Sequence, residues 1–358
     1  MHPRIWYVSG VRKLASCFAA LVGFVLPVAL GACQASTQTP QQPPPYYGPG
    51  PYGQQQPPYG QQPYPQQYPQ PYPNQPPQRP QQPAAQRPLL APLVGMAAWQ
   101  AELRGILNEL LAALSPSNQA LVRGIPLVFD PTPEINAFAG CDEQGAPFLA
   151  ATSGILEAVD AIAQTKSTDE LFGTKTYDAY SAQVLPQIVR SDKAHAGLPA
   201  GLIPAQYGGD LRRWSRAREI FDEVLAFTFG HELAHHYLGH TGCAKGQGGG
   251  GAGPDPTRLG RILSNVVPLF NQAGEASSDS AGAYNSLDAG RVRRPQYEWS
   301  ENGGVTLLDF FARLERAAGQ GGPLSLLNPV NVLKSHPNPL ARIPLLQAVA
   351  RTWHQQHP

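Results

Sequence analysis

The chain has 358 residues, with 26 Lys+Arg against 25 Asp+Glu, a balance that indicates neither nucleic acid nor an anionic surface as its main partner. Its 39 prolines and its low charged fraction of 14% both trace to one N-terminal segment, so much of the length cannot contribute to a packed core.

Arg4, Arg12 and Lys13 form a basic start, followed by the apolar run Leu14 to Leu30, so residues 1–32 read as a secretory signal. Gly23 and Pro27 interrupt that run, which is short and broken for a membrane span. It ends in Leu30-Gly31-Ala32-Cys33, which resembles a bacterial lipobox and implies lipidation of Cys33. An ordinary cleaved signal, or an uncleaved anchor with an incidental cysteine, is the alternative. Gln34 follows where an aspartate would mark inner-membrane retention in some bacteria, which favours an outer-membrane lipoprotein facing the periplasm. With Cys17 in the signal, Cys141 and Cys243 are left for the globular part. Outside the cytoplasm such a pair can form a disulfide, although nothing in the sequence brings the two together.

Residues 33–94 read as a tether. From Pro40 to Pro88 the chain is almost wholly Pro, Gln, Tyr and Gly, which favours a disordered spacer of polyproline II character. Contact of its tyrosines with glycan or protein is the alternative. Residues 95–358 have the composition of one globular domain. Apolar spacing predicts a helix over 96–114 and a strand over 125–130. "INAFAG" and "APFLAAT" flank the turn-rich "CDEQG" as a hairpin, and "SGILEAVDAIAQ" continues as a helix capped by Ser153. A helix over 176–190 is followed by a Gly/Pro-rich loop, then by a long helix from Ser215 to His240. The stretch "AKGQGGGGAGPDP" is a flexible loop. Helices are expected near 258–272, 273–287, 304–318 and 339–354, giving an α+β domain, mainly helical with a small sheet.

The long helix carries "AFTFGHELAHHYLGHTG", residues 226–242, in which His231-Glu232-Leu233-Ala234-His235 is HExxH. Residues four apart share a helix face, so His231 and His235 can present nitrogens to one metal ion. Glu232 lies beside that face, where it can hold and deprotonate a water. A histidine-rich helix produces the same five letters by chance, so a third ligand is needed in support. The longer motif HExxHxxGxxH would require glycine at 238 and histidine at 241, where Leu238 and Thr241 stand. Nine residues from His231 is about half a turn out of phase, and His236 is rotated about 100° from His235. Both His236 and His240 are therefore read as helix-surface or supporting groups, where the helix dipole favours them. The third ligand then comes from another helix. "NQAGEASSDSAGAY" offers Glu275 and, one turn later on the same face, Asp279. Glu275 would complete a His₂Glu set with one position open, and Asp279 would orient a ligand histidine. An exposed acidic helix is the plain alternative.

Several segments, in order and over residues 125 to 350, resemble the Ste24/HtpX-like zinc metallopeptidases, the M48 family. "FGHELAHHYLGH" is similar to that family's active helix, and Glu275 with Asp279 to its ExxxD element. "INAFAG…APFLAATSGILEAV" is similar to its Asn-Ala-Phe hairpin and next helix, and "SHPNPLARI" (335–343) to its Ser-His-Pro segment with a following Arg-Ile pair. The resemblance implies a gluzincin-like zincin fold with one Zn²⁺ per chain on His231, His235 and Glu275, and Glu232 as general base and later proton donor. It also implies that the strand at 146–151, with Phe148, is an exposed edge that aligns an extended peptide at the active-site cleft. Asn136, on the neighbouring strand, would shape that cleft. His336 would stabilise the oxyanion or occupy the open zinc position in a resting form, and Arg342 would fix that segment through a carboxylate.

The activity so implied is that of a lipid-anchored endopeptidase of the cell envelope acting on unfolded or misassembled proteins. A non-catalytic binding or assembly lipoprotein with a structural or vestigial metal site is the alternative, and an exopeptidase a third reading. The segment 166–213 is longer than the family's usual connection into the active helix, as a lid, a substrate-selecting insertion or a surface loop. No apolar run after Cys33 suits a membrane span, so the similarity is to soluble periplasmic members.

Overall fold

In this computed structural model the described residues are 88–244, 272–293, 297–319, 336 and 338–358. The signal, Cys33, most of the tether, the glycine-rich loop and the helix expected at 258–272 lie outside them. The first helix, α1 (Met96–Ala113), buries Leu103, Ile106, Leu107 and Leu110, the face that its apolar spacing draws. A short helix missed by the periodicity follows. This α2 (Pro116–Val122) starts with proline at its first position, and the Ser115 side chain accepts from the Asn118 amide.

Three strands follow, β1 (Leu127–Asp130), β2 (Ala137–Cys141) and β3 (Pro147–Thr152), in a mixed sheet of order β1-β3-β2. The expected hairpin is β2 and β3, antiparallel with Ala139 opposite Leu149. β1 pairs parallel to β3 on its other flank, with Leu127 opposite Leu149. The segment 146–151 is therefore the central strand and not an exposed edge, because β1 takes up its second row of backbone groups. The outer strand on the side of the HExxH helix is β2. Phe148 is fully buried on one sheet face with Val128, Phe138 and Ala150, its ring edge-on to Phe138 at 5.7 Å between centroids.

α3 (Ser153–Phe172) is capped by Thr152, whose side chain accepts from the Ile155 amide, so Ser153 is its first helical residue and not its cap. The segment 166–213 is largely helical and not a loop: α3 runs on to Phe172, then come α4 (Thr176–Arg190) and the single turn α5 (Ala205–Gly208). Asp169 holds the α3–α4 corner by accepting from the Thr176 and Tyr177 amides.

The HExxH helix, α6 (Leu211–Tyr237), begins four residues before Ser215 because Asp210 caps it by accepting from the Arg212 amide. Every residue from Ile220 to Tyr237 is buried, so α6 is the central rod of the domain, packed by α1, α3 and β2 and by two later helices. Those two are α7 (Gln272–Arg293) and α8 (Asn302–Gly319), and α9 (Pro339–Gln356) packs on both. α6 and α7 cross backbone to backbone. A Cβ on Gly282 would lie 2.6 Å from the His231 amide nitrogen, and one on Gly230 would lie 2.9 Å from the Gly282 carbonyl oxygen. Gly282 follows Glu275 and Asp279 at helical spacing, so this crossing lays both carboxylates against the histidines of α6.

Candidate metal centre

His231, His235 and Glu275 each bring one donor atom to a common point, together with His336, and the four donors lie within 4.8 Å of one another. All four residues are buried. The Nε2 atoms of His231 and His235 are 2.9 Å apart, and Glu275 Oε1 lies 3.3 Å from His235 Nε2. That oxygen is buried and makes no well-formed hydrogen bond among the described residues. Nitrogen and carboxylate donors so crowded, with a desolvated oxygen facing inward, fit a metal ion better than they fit one another.

Each histidine of α6 is held from behind. Asp279 Oδ1 stands 2.9 Å from His231 Nδ1, which favours the proton on that nitrogen and leaves Nε2 free to ligate. Arg342 locks Asp279 in turn, donating from Nε and Nη2 to its two oxygens at 2.6 Å each. Arg342 Nη1 also lies 3.0 Å from Glu275 Oε2, a charge contact not aligned as a hydrogen bond. On His235, Nδ1 meets His240 Nδ1 at 3.0 Å and Ser278 Oγ at 3.2 Å. His240 reaches there because α6 ends at Tyr237 and the chain turns back through Gly239, so the phase of a continuous helix does not apply to it. His236 is buried, not on the surface, and joins α6 to β3 through the Phe148 carbonyl at 2.9 Å.

Glu232 is the buried carboxylate at the edge of this group. Its Oε2 accepts the Ala139 amide of β2 at 2.8 Å, and its Oε1 lies 3.6 Å from His336 Nε2. Burial raises its pKa above the ordinary glutamate range, against the pull of the His336 and His231 rings. Glu275 goes the other way: burial pushes it up, but the His336, His231 and His235 rings beside it together hold it well below that range. The two glutamates thus occupy opposite electrostatic environments, the pKa of one shifted up and that of the other held down. His336 links them, with Nδ1 2.8 Å from Glu275 Oε2.

A small, partly open pocket adjoins the group, with His231, Glu232, His336 and Arg342 in its lining. Asn136 and Phe148 are not among its lining residues. Asn136 precedes β2, its amide donating to Thr152 Oγ1, and its side-chain oxygen is buried without a hydrogen-bond partner among the described residues. Cys141 at the end of β2 is disulfide-bonded to Cys243, just beyond α6. Ser278 and the Ala139 amide are the site groups that sequence reading passed over. Ser278 shares the helix face of Glu275 three residues on, a signal that was available, whereas a backbone amide leaves none. No family model, curated protein or solved structure matches this chain, so what the centre can do rests on its own geometry.

Proposed function

We propose that the chain is a zinc endopeptidase of the M48 type, of zincin fold, anchored through Cys33 in a bacterial cell envelope and acting on unfolded or misassembled proteins. The observation that carries this reading is the convergence of His231, His235 and Glu275, with Glu232 placed beside them and not among them. Two imidazoles and a carboxylate are the donor set of catalytic zinc sites, and a purely structural site has no use for the adjacent base. When bound, zinc would supply Lewis acidity toward a carbonyl oxygen and lower the pKa of water there. The rest belongs to side chains. Glu232, held by Ala139 N–H, takes a proton from the attacking water and delivers it to the departing amine, a task suited to a carboxyl of raised pKa. His336 faces Glu232, placed to donate to the oxygen that gains charge. The lipobox resemblance supports the anchor and Gln34 after Cys33 favours the outer membrane; no helix among the described residues is long and apolar enough to cross a membrane.

The test is zinc content together with digestion of casein, the products identified by mass spectrometry. Internal cuts are expected from the wild-type chain, and Glu232→Gln should lower kcat by roughly three orders of magnitude or more while zinc content stays the same. Equal activity in that variant would sink the mechanism.

One observation favours a second reading, a metal site that is structural or latent. His336 belongs to the group of four donors, and four protein ligands close a site. His336→Ala separates the two. A drop in kcat at unchanged zinc affinity fits the oxyanion role, whereas weaker zinc binding at unchanged or higher kcat fits a closing ligand.

A further inference from the structure

A second pocket lies along the N-terminal half of α6. Arg216, Glu219, Asp222 and Glu223, at spacings of three and four, share one face of that helix, and Arg293 at the end of α7 and Tyr297 before α8 complete the wall. Glu223 stands eight residues before His231, about 12 Å along the helix, so this pocket is separate from the metal centre. Three polar atoms on its lining residues are buried without a hydrogen-bond partner among the described residues: Oδ1 of Asp222, Nη1 of Arg293 and the hydroxyl of Tyr297. Asp222 is 4% exposed, Tyr297 9% and the Arg293 side chain 7%. Such deeply buried atoms are ordinarily paired, so an acceptor, a donor and a hydroxyl on one small wall mark a place for a guest. The charged ends of Asp222 and Arg293 stand 3.5 Å apart, Nη2 to Oδ2. A guest that pairs with both therefore carries a donor and an acceptor only a few bonds apart.

The guest also carries positive charge. Glu219, Asp222, Glu223 and Glu298 outnumber Arg216 and Arg293 in the lining. Both guanidiniums are matched by carboxylates outside it as well: Arg216 lies 2.7 Å from Glu170, and Arg293 lies 2.8 Å from Glu102 and 2.9 Å from Glu109. A metal ion does not suit the pocket, because among the described residues only the group around His231 brings three or more ligand atoms together. We propose that this pocket binds the free amino terminus of a peptide, an α-ammonium group with a carbonyl oxygen beside it. The ammonium faces Asp222 and Glu223, and the carbonyl oxygen accepts from Arg293 Nη1 and the Tyr297 hydroxyl. Burial and the neighbouring Glu102 hold Asp222 well above the usual carboxylate range, against Arg293 and Arg218. Burial takes Glu223 up to about 7, against Arg216 and the Ser300 hydroxyl and with Glu219 adding to the rise. An arriving ammonium therefore displaces protons from these acids. Binding of this kind involves no cleavage and does not depend on the peptidase reading.

Calorimetry on the full, zinc-loaded chain at about pH 7 decides it, with glycine amide, whose amine is mostly charged there, as the probe. N-acetylglycine amide lacks the charge, ethylammonium lacks the carbonyl, and glycine adds a carboxylate that cancels the charge. Each is expected to bind at least about ten-fold more weakly than glycine amide. Glycylglycine amide, the terminus of a longer chain, is expected to bind at least as tightly. Binding should release protons, read as a dependence of the heat on the ionisation enthalpy of the buffer. Glu223→Gln should weaken glycine amide by about ten-fold and reduce that release, and Tyr297→Phe should weaken it by several-fold. Equal binding of glycine amide and its acetylated form overturns the proposal. So does binding that both variants leave unchanged, which would place the probe elsewhere, on the zinc for example. Exclusion of glycylglycine amide would rule out a peptide terminus, and tighter binding of calcium than of glycine amide would make the pocket an ion site; either result overturns the proposal as well.

Discussion

Asp279 serves two masters, and substitution can separate them. Its oxygens orient His231 and neutralise the buried Arg342 guanidinium. Removing it with Asp279→Ala leaves that cation only its unaligned contact with Glu275, which should cost up to about 3–5 kcal/mol in urea denaturation. Zinc affinity should fall by roughly 10- to 100-fold, since the ligand loses its orienting partner. Adding Arg342→Met should restore most of the stability and none of the affinity. Full recovery of both would mean that Asp279 acts only as a counter-ion. A second residue, Glu223, lies two turns before the motif, and burial pushes its pKa up to about 7 in spite of Arg216 and the Ser300 hydroxyl. An acid with a raised folded pKa prefers its proton in the folded state. Its contribution is therefore complete below the unfolded value of about 4.5 and is lost as pH rises through about 7. Glu223→Gln should stabilise the protein at pH 8, by at most about 3 kcal/mol, and change it little at pH 4. Unfolding midpoints at the two pH values check this, and an equal shift at both would contradict it.

Between elements, the decisive contact is the crossing of α6 and α7. Two of the three expected ligands sit on α6 and the third on α7, so their spacing depends on how closely the helices approach. Gly230 and Gly282 set that approach, since any side chain at 282 would collide with the His231 backbone. Gly282→Val is expected to push α7 outward and lower zinc affinity by at least about ten-fold, while leaving helix content by circular dichroism near wild type. Wild-type affinity in that variant would show that the crossing tolerates more than the geometry allows. Sequence reading found both helices and both carboxylates from periodicity and spacing. It did not find the crossing, because a glycine in a helix carries no letter that names its neighbour. The sheet shows the same limit. The hairpin was legible in its turn, but the parallel pairing of β1 with β3 skips over β2 and leaves no turn signal, and it made β3 central. Caps moved for local reasons: Thr152 and Asp210 each stood one or a few residues before the expected start, and either side chain reaches an orphan amide.

At the scale of the whole domain, the centre joins α6, α7 and the residue 336 segment around one buried point. Four donors drawn together without a cation crowd one another, so the ion should act as a cross-link in the folded chain. Zinc at a hundred times its dissociation constant would add about 2.7 kcal/mol, and chelation should lower the melting temperature by roughly 5–10 °C. His235→Ala should remove that difference. No response to zinc or chelator in the wild-type chain would contradict the metal centre. The α+β, mainly helical character of the domain was legible from its periodicities, and so were the two histidines and the glutamates, because helix phase constrains them directly. The roles of Ser278, His240 and the Ala139 amide were not, because each depends on a chain reversal or a strand position that only the assembled domain defines. The pair Cys141 and Cys243 belongs with these: its members are separated by 102 residues and meet only because β2 lies against α6.

The spread of the donors along the chain has a temporal consequence. His231 and His235 emerge first during synthesis, Glu275 some forty residues later, and His336 and Arg342 later still. Until α7 has crossed α6 at Gly282, the motif helix is an ordinary histidine-bearing segment with no carboxylate to complete it. On the proposed reading, a peptidase so arranged would be inert while it is being made, and could cut other chains only once its own folding is done.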